Sequence, residues 1–289
     1  MIDVPLQSVQ TNGKLMKATF CPDKGMNLTS LMFDDIEVID QSTRNLFEER
    51  NAGLGALIGP HFYHRKNPPR VPNPSAFPHI SRLKSPGSDE PFSHGIGRYV
   101  SWNYTASNKA ISGHLSGKDT YGGMPLSALE GFDFEMNFNA QATANGLEVE
   151  MNVESPTAPT IAGLHYYYAL DNHAGVVRMS SQDQYNDMGT LKPIPPEWKD
   201  PENGALAFNL KWASDYGFRP RTQDFSGDAE LATGTRRLHI HYQAGSDEQA
   251  LQLYHPLGAS FVCIEPVTAK NPRDAKQRKN HLKVRIQSL

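Results

Sequence analysis

Residues 132–153 carry the clearest alternation of apolar and polar positions in the chain. Phe132, Phe134, Met136 and Phe138 alternate with Asp133, Glu135, Asn137 and Asn139; beyond Asn145-Gly146, Leu147, Val149, Met151 and Val153 alternate with Glu148, Glu150 and Asn152. Strand side chains point to alternate faces, and Asn-Gly accepts the positive φ of a tight turn, so this segment predicts an antiparallel hairpin. Its apolar side, with Phe134, Met136, Val149 and Met151, should cover a core while the acidic side meets water. Weaker alternations recur at Leu238, Ile240 and Tyr242 and at Leu282, Val284 and Ile286, and β-prone runs lie at 99–104, 161–170 and 261–265. Helical signals are short: Asn45–Arg50, preceded by the capping-type residues Ser42 and Thr43, and a stretch near Pro272–Arg278.

Many short strands with few helices imply an all-β sandwich or barrel. The 21 prolines and 23 glycines among 289 residues fit this reading, because they leave little room for long helices. Neither an internal repeat nor a linker divides the chain, so one domain over 1–289 is expected. At 38% hydrophobic and 20% charged residues, there is enough apolar material for a core.

A net charge of −3 gives no reason to expect a polyanion-binding surface, so nucleic acid is excluded as the expected partner. The opening MIDVPLQSVQTNGK lacks the basic and apolar regions of a signal peptide, and no run approaches a membrane span, which makes the cytoplasm the expected compartment and leaves no expected membrane contact. Cys21 and Cys263 allow a lone bridge, but two buried, reduced thiols are the simpler reading.

From Arg50 to Ser88 no acidic residue occurs, while Arg50, Arg65, Lys66, Arg70, Arg82 and Lys84 are basic and seven prolines intervene. Such a segment cannot form a helix and makes a poor central strand; it reads as a long, stiff loop, either a lid or a plain surface excursion.

Among eleven histidines, His94 lies in the glycine-flanked PFSHGIGR, and His165 lies inside the β-prone GLHYYYAL, where a ring needs a partner or a cavity. Glu265 closes the apolar run SFVCIEP, either at an edge or aimed into a pocket. Alternation puts Tyr167 on the face of His165. His239 and His241 share a strand face; a solvated face is the simpler reading, a metal pair of the cupin kind the other. Trp102, Trp198 and Trp212 are candidates for stacking on the apolar face of a ligand, with core packing the simpler role for each.

In this order, His94-Gly with Arg98 and Trp102, then Gly163-Leu164-His165 with trailing aromatics, then Phe261-Val262-Cys263-Ile264-Glu265-Pro266, the chain resembles the aldose 1-epimerases, or galactose mutarotases, from about residue 53 onward. The Glu-Pro block is the most specific part. The resemblance implies a large antiparallel β-sandwich with a concave cleft for a hexose. It implies that Glu265 is the base on the anomeric hydroxyl, that His165 is the acid on the ring oxygen, and that His94 binds beside it. It calls for no metal and no organic cofactor. Arg65, in GALIGPHFYHR, falls within about a residue of the family's sugar-binding arginine, and Arg98 and Tyr167 are further candidates for substrate contact. Where the family has a sugar-binding aspartate this chain has Thr222, so Asp224 and then Asp228 are the replacement candidates. The expected partner is a small sugar, or a sugar phosphate if the basic 50–88 segment reaches the cleft. A non-catalytic carbohydrate-binding protein on the same fold and a cupin-like metal enzyme are the alternatives.

Overall fold

The computed structural model describes residues 1–82, 90–201, 203–222 and 224–289; Lys84, Pro86 and Ser88 of the basic segment lie outside the described residues. The hairpin of the 132–153 region consists of Glu135–Thr143 and Gly146–Glu154, with Phe134, Met136, Val149 and Met151 all buried. Thr143 pairs with Gly146, so Ala144 and Asn145 form the turn, one residue earlier than an Asn-Gly centre. Gly146 is needed for another reason. Its φ is 118°, and a Cβ there would lie 2.2 Å from the Ile286 carbonyl oxygen of the neighbouring C-terminal strand. That strand, Lys279–Ser288, pairs with the hairpin and brings Lys283 and His281 diagonally to Glu148 and Glu150, at 3.6 and 2.9 Å, so the acidic outer face is matched by bases.

Around this hairpin nine strands form one antiparallel sheet. It runs from Leu206–Asn209 through Val176–Met179, Ser226–Ala232, Arg237–Ala244, Lys279–Ser288 and the hairpin to Ala110–Ser116 and Asn103–Ala106. A second, eleven-stranded sheet begins at the N-terminal strands Val4–Val9, Leu15–Cys21 and Asn27–Phe33, the last of which also pairs with the short strand Ile36–Glu37. Gly55–Ile58, Gly163–Ala169, Phe261–Val267, Ala250–His255 and Ser214–Pro220 follow in its middle, and Ser181–Asp187 and Thr190–Pro193 complete its far edge. One cluster of buried side chains draws on both sheets, with Phe138, Met151 and Val284 from the first and Phe20, Tyr166, Leu253 and Ile264 from the second. The molecule is a large antiparallel β-sandwich.

Local expectations are revised in five places. The basic 50–88 segment is not all loop, because Gly55–Ile58 is a fully buried central strand before the prolines begin. The 99–104 run pairs only from Asn103; Tyr99, Val100 and Trp102 precede the strand and are buried in the core, with the Trp102 indole donating to the Gly97 carbonyl. Helix Arg44–Arg50 is present, but Thr43 does not cap it; its hydroxyl donates to the Asp40 carbonyl and accepts from the Leu54 amide. The 272–278 stretch is a single 3₁₀ turn, Pro272–Asp274, while the short helix Leu126–Glu130 went unforeseen. Cys21 and Cys263 are both free and buried. No helix among the described residues is long and apolar enough to cross a membrane.

Candidate functional site

Strands Gly163–Ala169, Phe261–Val267 and Ala250–His255 lie side by side in the middle of the larger sheet. Their alternation sorts two sets of side chains. Leu164, Tyr166, Tyr168, Val262, Ile264, Leu251 and Leu253 enter the core between the sheets. His165, Tyr167, Cys263, Glu265, Gln252 and Tyr254 take the opposite face. The rings of His165 and Tyr167 stack at 4.9 Å and 13°, and Tyr254 and Phe261 extend the aromatic wall. His165 Nε2 lies 3.4 Å from Glu265 Oε1.

His94 arrives from a loop and completes the group, its ring 5.1 Å from that of His165 and edge-on to it. That loop has little freedom. His94 has φ 66°; its amide donates to the Tyr63 carbonyl, and its carbonyl accepts from Gly59. Gly95 follows with φ 91°, where a Cβ would lie 2.1 Å from the Gly59 carbonyl oxygen. The Tyr63 amide donates to His94 Nδ1 at 3.3 Å, so the neutral ring carries its proton on Nε2 and can donate to a ligand.

Burial governs the electrostatics here. It pushes the Glu265 carboxyl well above the usual range, reinforced by the charge of Asp215 and opposed by Arg98. It pushes the imidazoles of His165 and His94 well down, and Arg98 adds to both effects. Arg98 is itself buried; its Nε donates to the Leu57 carbonyl, and its Nη2 has no hydrogen-bond partner among the described residues. A buried cation with an open donor beside these groups can balance negative charge on a ligand.

Arg65 is placed differently. Its guanidinium grips Glu90 through Nε and Nη2, both at 2.8 Å, and also donates to the backbone carbonyl of Glu130. His61 binds the Glu130 carboxylate and lies 3.5 Å from that of Glu90. Burial alone would raise Glu90, but Arg65 and His61 outweigh it and hold the carboxyl far below its usual range; His61 is raised, as the two carboxylates overcome its own burial. The cluster braces the His94 loop, since Glu90 accepts from the Phe92 amide and Glu130 from that of Ile96. The bases of the proline-rich segment are thus partly neutralised by two acids just beyond it or far along the chain.

Asp224 is exposed on the loop before Ser226–Ala232 and accepts from the Ser226 hydroxyl. Asp228 is on the outer face of the other sheet, where it binds His239 and His241 at 2.8 and 2.9 Å. That trio is a solvated surface cluster. The carboxylate whose charge acts on Glu265 is Asp215, which the sequence reading passed over. It also passed over Gln252, paired across the strands with Glu265 and holding a buried Nε2 without a partner among the described residues. Gly217 makes room for that amide, since a Cβ there would meet Gln252 Nε2 at 2.6 Å. The alternation of Leu251 and Leu253 with Gln252 and Tyr254 was the available signal. Trp198 is packed among Tyr185, Phe208 and Tyr216 in the core, and Trp212 lies against the same cluster, its ring covered by Lys211.

No family profile and no curated protein sequence matches the chain. Solved structures do match over its whole length. The Slr1438 protein from Synechocystis is 17% identical with a TM-score of 0.66, covering 99% of this chain and 96% of its own. A galactose mutarotase-like protein from Lactobacillus casei is 14% identical with a TM-score of 0.69 and complete coverage of both chains. A galactose mutarotase related enzyme from Lactobacillus acidophilus is 14% identical with a TM-score of 0.65, covering 99% of this chain and 98% of its own. At such identities the likeness bears on architecture, and on that it is unambiguous: the chain has the galactose mutarotase-like β-sandwich fold.

Proposed function

We propose that this chain interconverts the anomers of a pyranose sugar by general acid–base ring opening. The observation that carries this reading is the buried His165–Glu265 pair, 3.4 Å apart with the His94 ring beside it, on the face of the larger sheet turned away from the core. Ring opening takes the proton of the anomeric hydroxyl and gives one to the ring oxygen as the C1–O5 bond breaks. Glu265 accepts the first and His165 supplies the second; rotation about C1–C2 and the reverse steps yield the other anomer. The pair holds one proton throughout. With the cyclic sugar it is a carboxylate and an imidazolium, and with the open aldehyde a carboxylic acid and a neutral imidazole. Burial brings these two arrangements together in energy, because it disfavours charge on both groups. His94 Nε2 donates to a sugar oxygen and Arg98 balances charge that develops there. Tyr167, stacked on His165, offers the sugar an aromatic surface.

A neutral hexose fits better than a hexose phosphate. Arg65, the cation nearest the family's sugar-binding position, spends its donors on Glu90 and on backbone. The test is anomer exchange followed by NMR or polarimetry over free and 6-phosphorylated hexoses at low and high salt. Faster exchange of free sugars than of their phosphates at both salts is expected. Sugar binding without exchange would leave a carbohydrate-binding protein on this fold, and a preference for phosphate abolished by salt would restore a role for the basic segment.

A further inference from the structure

Cys263 stands two residues before Glu265 on the same strand and the same face, yet acid–base ring opening gives its thiol no task. The ligand atoms of His165, Cys263 and Glu265 all lie within 4.8 Å of one another, and the three side chains are buried. A thiolate, an imidazole and a carboxylate make a zinc-type donor set. Two nitrogen or oxygen ligands at about 2.0–2.1 Å from a tetrahedral ion stand about 3.4 Å apart, and a sulfur at about 2.3 Å stands about 3.6 Å from either. The His165–Glu265 separation of 3.4 Å already meets the first requirement. The sulfur, within 4.8 Å of both, needs a shift on the order of 1 Å, within reach of a χ1 adjustment.

The geometry points to a second ligand for this site: a thiophilic divalent cation of the Zn²⁺ class, held by His165 Nε2, Cys263 Sγ and a Glu265 carboxylate oxygen, which blocks the sugar site while bound. Charge supports it. A divalent ion with one thiolate, one carboxylate and a neutral imidazole sums to zero, which suits a buried place. The charge of Arg98, felt by all three ligands, disfavours a hard ion held by charge alone, so Mg²⁺ and Ca²⁺ are not expected. Binding displaces the thiol proton of Cys263 and the carboxyl proton of Glu265 to solvent, so affinity rises with pH. The fourth position is left to water or to a sugar hydroxyl.

The experiment adds Co²⁺ to the metal-free protein and follows the near-ultraviolet thiolate-to-cobalt absorption, a readout that needs no sugar. One equivalent of Co²⁺ should produce the band, Zn²⁺ should bleach it, and Mg²⁺ should not. Cys21→Ser should retain the band and Cys263→Ser should lose it with an unchanged metal-free Tm. If Cys263→Ser does not fold, His165→Gln should show the loss instead. In parallel, Zn²⁺ should suppress anomer exchange and a chelator should restore it. Absence of the band in the wild-type protein, or its survival in both Cys263→Ser and His165→Gln, overturns the inference. Because the band is independent of turnover, a protein with no epimerase activity can still pass, and an active epimerase can still fail.

Discussion

At the scale of single residues, the pKa shifts set a pH profile. The His165–Glu265 pair takes up a second proton only below the depressed value of the imidazole, and loses its one proton only above the raised value of the carboxyl. On the acid side the base is lost, and on the alkaline side the acid is lost. The kcat/KM for anomer exchange should therefore be flat across neutrality, with its acid limb below 6.5, the ordinary imidazole value. A steep rise centred on that value would mean that a solvated histidine does the work. Glu265→Gln keeps the shape and removes the base, and His165→Ala removes the acid. Each should lower kcat by ~10²–10⁴-fold with a much smaller change in KM. Glu265→Gln should also stabilise the fold. The native carboxyl holds its proton above the ordinary value of 4.5, so its contribution is complete below that pH and is lost as pH rises through the raised value. The Tm gain of the variant should accordingly grow with pH over that window.

At the scale of elements, the His94 loop depends on backbone that only glycine provides. Gly95 combines φ 91° with a Cβ position 2.1 Å from the Gly59 carbonyl oxygen, so Gly95→Ala must move one strand of backbone away from the other. The His94 amide and carbonyl are bonded to that same 59–63 segment. Gly95→Ala should lower kcat/KM at least as much as His94→Ala, while the Tm of His94→Ala stays close to wild type. A Gly95→Ala enzyme with unchanged kinetics would show that the loop tolerates a shift and that His94 is not held to a narrow geometry. The hairpin offers a contrast in legibility. Its strands and buried face followed from alternation alone, but the turn fell one residue early. Gly146 was needed for the close approach of Ile286, a contact 140 residues away in sequence that no local pattern encodes.

At the scale of the whole molecule, the cluster of His61, Arg65, Glu90 and Glu130 ties the proline-rich segment to the His94 loop and to helix Leu126–Glu130. Both carboxylates are fully buried, and removing the arginine would leave them uncompensated. Arg65→Met should cost about 3–5 kcal/mol, read by denaturant or thermal unfolding, and Glu90→Gln in the same chain should recover part of it. The pH dependence has two edges. His61 is raised in the fold, so its contribution is complete below 6.5 and is lost as pH rises through the native value; Glu90 is lowered, so its contribution is complete above 4.5 and is lost as pH falls. The Tm difference between wild type and His61→Gln should be largest between pH 4.5 and 6.5. A difference that grows at higher pH would mean that the neutral ring, through packing, is what stabilises the cluster.

The amino-acid order by itself determined the class of fold. Period-two alternation with glycine and proline punctuation leaves a chain few ways to bury its apolar side chains except in packed antiparallel sheets. It also placed His165 and Tyr167 on one face, since alternation along a strand is a local property. Only the tertiary structure decided which charges meet. The run from Arg50 to Ser88 looked like an unopposed basic surface because Glu90 lies just past its end and Glu130 some sixty residues beyond Arg65. Likewise Asp215 and Gln252 joined Glu265 through strand order in the larger sheet, while Asp224 took a place on an exposed loop. Ion pairs and pKa shifts depend on distances of a few ångströms and on exclusion of water. Both are set by how distant segments pack, so they become legible only when the sheets are assembled.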